Sequence, residues 1–137
     1  MSIEYLPHTA DIRMRLEASS LPELFQEGLL GMSGILKEKF CEREKELSLQ
    51  IPINISATDP GCLMVDFLSE VLSVSYTEKA IFCRMELTAL SETNISAKIY
   101  GAPYSELDEE IKAVTYHEAE VKKNTSDLWE SLILFDI

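Results

Sequence analysis

Positive charge is scarce in this chain: 12 Lys and Arg stand against 24 Asp and Glu, a formal net charge of −12 over 137 residues. No cluster of Lys and Arg with interleaved aromatics occurs. Direct nucleic-acid binding draws its affinity from cations on phosphates, so it is not expected. Long apolar runs are missing as well; no stretch approaches the ~20 residues of a membrane span. The opening Met1-Ser2-Ile3-Glu4-Tyr5 has neither the basic head nor the apolar block of a signal peptide. Cys41, Cys62 and Cys83 form no close pair, so neither a disulfide framework nor a Cys-x-x-Cys zinc site is expected. With five Gly and five Pro, the chain has no linker-like segment. Gly-rich phosphate loops, Gly-x-Ser-x-Gly elbows and His-Glu-x-x-His are all absent. The expectation is one reduced, cytoplasmic domain spanning 1–137, with no enzyme active site announced.

What is present is a clear alternation of periods. Ile3 and Tyr5, then Ile12, Met14 and Leu16, alternate with polar residues as half-buried strands do. The polar corner His8-Thr9-Ala10-Asp11 sits between them. Ser20, with Pro22 and Glu23 behind it, reads as the cap of a helix whose Leu24, Phe25, Leu29, Met32 and Leu36 share one face. Gly31, Ser33 and Gly34 weaken its last turns, and the mostly charged 37–46 follows as a solvated connection. Leu47 to Ile55 alternate in a strand, and Pro52 places it at a sheet edge or bulge. Asp59-Pro60-Gly61 opens a second helix ending around 73–77. Strands are expected over 81–90, 94–100, 111–117 and 132–137, with a short one near 118–121, a turn at 100–103 and an acidic loop at 105–110. The order of elements implies an α+β two-layer single domain, two helices packed on a mostly antiparallel sheet.

The chain closes on Leu132-Ile133-Leu134-Phe135-Asp136-Ile137, an apolar run with one acid beside the last residue. If that run is a core strand, Asp136 and the carboxylate of Ile137 are held in place, and two fixed anions call for a cation. His8, Asp11, His117, Asp136 and Ile137 are therefore the candidate metal constellation. Carboxylates suit calcium, magnesium or manganese, whereas the two histidines would favour zinc or manganese. The bland alternatives are a turn-capping acid for Asp11, a half-packed strand residue for His117, a polar residue at a frayed end for Asp136 and a local ion pair for Lys112. Asp66 and Glu70, one turn apart on the second helix, read as an exposed polar stripe.

Four ordered blocks carry a family resemblance. Tyr5-Leu6-Pro7-His8-Thr9-Ala10-Asp11-Ile12, Val65-Asp66-Phe67-Leu68-Ser69-Glu70-Val71-Leu72, Ile111-Lys112-Ala113-Val114-Thr115-Tyr116-His117 and Ile133-Leu134-Phe135-Asp136-Ile137 together resemble the archease family. The resemblance implies a non-catalytic accessory factor of the GTP- and manganese-dependent RNA-splicing ligase. Such a factor promotes guanylylation and repeated turnover of the ligase in tRNA splicing and RNA repair. It also implies a divalent metal, calcium before manganese or magnesium, on Asp11, Asp136 and Ile137, with His8, His117 and Lys112 as nearby support. A chaperone, or a specificity modulator of a tRNA methyltransferase, is the alternative role. Two departures stand out: Arg13 replaces a small residue, and the loop from Pro103 to Glu110 is short and acidic.

Overall fold

Two side-chain oxygens decide where the long helices begin. Ser20 is extended (φ −141°, ψ 159°) and its hydroxyl accepts from Glu23 N at 3.3 Å. Asp59 Oδ1 accepts from Cys62 N at 2.8 Å. Each is followed by a proline inside the first turn, where a missing N–H costs nothing. The computed structural model describes residues 1–6, 11–116 and 119–137. Along it run β1 (Ser2–Leu6), β2 (Asp11–Ala18), α1 (Leu21–Leu36), α2 (Phe40–Arg43), β3 (Leu49–Ser56), α3 (Pro60–Glu78), β4 (Ala80–Leu90), β5 (Asn94–Pro103), β6 (Ala113–Thr115), β7 (Lys122–Lys123) and β8 (Trp129–Asp136).

The α+β class stands, with every described strand pairing antiparallel, but the strands divide into two sheets. One has the order β1-β2-β8-β6 with β7 also on β8; the other is β3-β5-β4. Both long helices touch strands of both sheets: α1 meets β2, β8 and β4, and α3 meets β6, β3, β4 and β5. Met14, Leu16, Ile133 and Phe135 from the first sheet and Ile53, Ile95 and Ile99 from the second bury against helical Phe25, Leu29, Phe67 and Leu68. Burying such side chains contributes about 1.5–3 kcal/mol each. Pro52 lies on β3, an edge strand, where its lacking donor is harmless.

Three local expectations are corrected. The turn expected at 100–103 is the end of β5. Gly101 is there because strand β4 comes close: a Cβ at this position would lie 2.4 Å from Ile81 O. Helix α1 runs through its glycines to Leu36, and Gly31 is the point where β2 approaches, with Met14 Sδ at 2.3 Å from where a Cβ would be. The charged segment 37–46 contains α2, whose Phe40 is buried. The expected short strand near 118–121 is instead β7, at Lys122–Lys123.

The cysteines correct a further expectation. Cys41 and Cys83, 42 residues apart in sequence, form a disulfide with a Cα–Cα separation of 5.4 Å. Phe40 seats α2 in the core, which lays the next residue beside a register shift of β4 between Phe82 and Arg84. Cys83 is the extra residue there, as in a β-bulge, and a bulge turns its side chain out of the regular alternation. Only Cys62 remains a thiol.

Candidate functional site

Strand alternation decides what shares a face with what. On β2 the buried residues are Met14, Leu16 and Ala18, so Asp11, Arg13, Arg15 and Glu17 fall on the opposite, outer face. On β8 the buried ones are Ser131, Ile133 and Phe135, which leaves Glu130, Leu132, Leu134 and Asp136 outside. The antiparallel register then makes Asp11, the first residue of β2, the direct partner of Asp136, the last of β8. Directly opposed side chains lie within about 5.5 Å at Cβ, and like charges so placed repel unless something positive joins them. The sequence-predicted pair is thus brought together from opposite ends of the chain.

Asp136 is held on its other side by β6. Ala113 is its register partner there, and Lys112 N donates to Asp136 O at 2.7 Å. The side chain of Lys112 is exposed. Ile137 packs against the core, which fixes the backbone just beyond Asp136. Neither His8 nor His117 belongs to the described residues. Among the described residues no three His, Cys, Asp or Glu side chains converge as a metal cage. Of the sequence-predicted donors, those among the described residues are Asp11, Asp136 and Ile137, and what they offer is carboxylate oxygen. That set fits a hard divalent cation, which takes carboxylate oxygens and completes its shell with water.

A cavity of about 560 Å³ opens beside Asp11, lined by Tyr5, Ile12, Gly34, Ile35, Glu38, Asp108 and Glu109 among others. Its acidic wall is fastened to the C-terminus of α1. Asp108 N and Glu109 N donate to Leu36 O at 2.8 and 3.4 Å, and Glu38 N donates to Asp108 Oδ2 at 2.9 Å. The short acidic loop thus satisfies a helix carbonyl that would otherwise lack a partner. Tyr5 reaches across to donate to Gly31 O at 3.0 Å. Burial, and then the nearby Glu27 and Glu38 carboxylates, push its phenol above the usual tyrosine range.

The segment that carries Lys112 is tied to α3 by contacts that sequence reading missed. Tyr76 Oη donates to Ile111 O at 2.6 Å and accepts from Ile111 N at 2.7 Å. Tyr116 donates to Asp66, a residue read from sequence as exposed stripe. That hydrogen bond is the chief reason the Tyr116 phenol is raised, with burial secondary. Glu70, the other half of the stripe, is exposed.

Comparison with known proteins covers nearly the whole molecule. The archease protein family profile matches residues 3–137. The archease of Methanosarcina barkeri is 31% identical over 145 aligned positions, covering 98% of this chain and 94% of that protein. The archease-like protein of Drosophila melanogaster is 30% identical, covering 100% and 91%. Among solved structures, Methanobacterium thermoautotrophicum protein 1598 superposes with a TM-score of 0.78 at 21% identity, over 98% of both chains. An archease from Thermotoga maritima, described as a possible chaperone, gives 0.59 at 17% identity, covering 96% and 94%.

Proposed function

We propose that this chain, which belongs to the archease family, is a non-catalytic accessory factor that activates the GTP/manganese-dependent RNA-splicing ligase. The observation that carries the reading is the register pairing of Asp11 with Asp136, two carboxylates opposed at the end of two paired strands, on the outer face of their sheet. Asp11, Asp136 and the Ile137 carboxylate would hold a divalent cation, calcium by family resemblance. A cation held by these oxygens would supply positive charge for phosphate oxygens. The rest is the work of the chain. β2, β8 and β6 hold the oxygens in place, and Ile137 anchors the end of the chain in the core. The net charge of −12 favours encounter with the basic cleft that an RNA ligase must present. In this reading the chemistry belongs to the ligase, and this chain supplies the carboxylates. A cytoplasmic setting is part of the proposal.

The test is guanylylation of the ligase with and without this protein. Asp136→Ala and Asp11→Ala should each abolish the stimulation while circular dichroism and melting remain those of the wild type. Stimulation that survives both substitutions would remove the carboxylate pair from the function. It would favour the competing role, a chaperone or a modulator of a tRNA methyltransferase, which does not need these acids.

A further inference from the structure

Helix α3 makes two side-chain links to the 111–116 segment, ten residues apart on the helix and five apart on the segment. Tyr76 takes both backbone groups of Ile111, and Asp66 takes the phenol of Tyr116. Ten helical residues rise about 15 Å and five extended ones about 16–17 Å, so the two spacings match. The segment is therefore laid along α3, antiparallel to it, and pinned at both ends. Val114, between the pins, is buried, and it lines one hollow together with Leu72 and Tyr76 of α3.

Ile111 is fully buried, and a buried backbone N–H and C=O both require partners. One phenol serves both, since a tyrosine hydroxyl can donate and accept at once. One residue further on, Lys112 N donates to Asp136 O, and Ala113 pairs with Asp136. Nothing longer than a dipeptide separates the Tyr76 pin from the residue that carries the site.

We propose that Tyr76 and Asp66 are positioning residues: α3 acts through them as a ruler that sets β6 and hence the placement of Asp136 opposite Asp11. The inference rests on the cation reading of the Asp11 and Asp136 pair, though its geometric half stands independently. Tyr76 acts through the backbone of Ile111, and Asp66 through the side chain of Tyr116.

The experiment uses the intact chain and calcium chloride as the probe. Isothermal titration should show calcium binding to wild type and an affinity about ten- to a hundredfold weaker for Tyr76→Phe, the range seen when the outer partners of metal ligands are removed. Hydrogen exchange supplies the readout that a loss of general stability does not imitate. In Tyr76→Phe the Lys112 amide should exchange faster while Ile95 and Ala97 in the other sheet keep wild-type protection. Saturating calcium should slow Lys112 again. Tyr116→Phe and Asp66→Asn, at the exposed end of the strap, should act in the same direction and serve if Tyr76→Phe does not fold. Thr77→Val, whose hydroxyl bonds Ser73 O within its own helix, should leave all readouts unchanged. Equal calcium affinity and equal Lys112 exchange in wild type and the pin variants would overturn the ruler alone. A wild type that binds no calcium would overturn the cation reading, and Lys112 exchange would still decide the geometric half.

Discussion

At the residue scale, the informative side chains are polar ones in apolar places. Ser131 faces the core, 3% exposed, and its hydroxyl has no hydrogen-bond partner among the described residues. A buried hydroxyl left unpaired costs about 1–3 kcal/mol. Ser131→Ala should therefore raise stability by up to about 1 kcal/mol, read as a higher urea midpoint at unchanged slope. Glu27 is a second case, 3% exposed within α1. Burial is the main cause that raises its carboxyl above the ordinary glutamate range; the N-terminal ammonium opposes this, and Glu23 adds to it. A raised acid binds its proton more tightly in the folded state. The stability Glu27 contributes should then be fully present below the ordinary glutamate range and be lost as pH rises through the folded value. Glu27→Gln should flatten that slope and be the more stable protein at neutral pH, as chemical denaturation across pH 4–8 would test. Neither residue could be identified from the sequence, because burial of a serine or glutamate depends on which sheet face its neighbours choose.

At the scale of elements, what was legible was what is local. Ser20 and Asp59 cap helices three residues away, and Pro52 announces an edge, so both long helices and β3 were foreseen. Asp11 and Asp136 were paired in prospect because the acids interrupt apolar runs at the two ends of the chain. Their register is a long-range fact that only folding supplies. Gly101 misled for a physical reason: glycine marks both turns and close approaches, and this one is a close approach inside β5. The links of Tyr76 to Ile111 and of Tyr116 to Asp66 cross 35 and 50 residues and leave no periodic trace. Gly61 yields a prediction at this scale. It lies in the first turn of α3, where a Cβ would sit 2.3 Å from Ala119 O. Gly61→Ala must push a backbone rather than a rotatable side-chain tip, so it should cost about 1–3 kcal/mol. Thermal melting would check it.

At the scale of the molecule, the Cys41–Cys83 bond joins α2 to β4 and closes a loop of about 42 residues. Constraint of the unfolded chain by such a loop is worth about 4 kcal/mol. Reduction, or Cys41→Ser with Cys83→Ser, should lower the unfolding free energy by roughly that amount; an unchanged urea curve with and without reductant would refute it. The division of the strands into two sheets, like this bond, was beyond sequence reading, since identical alternation serves either partnership. Strand β8 runs from Trp129, with Lys123 Nζ 5.6 Å from its ring centroid, to Asp136 at its far end. Seven extended residues separate them, about 23 Å. The only tryptophan of the chain is thus an emitter stationed well away from the carboxylates. Its fluorescence should follow unfolding while staying blind to whatever occupies them, so one cuvette can weigh the fold and the site as separate signals.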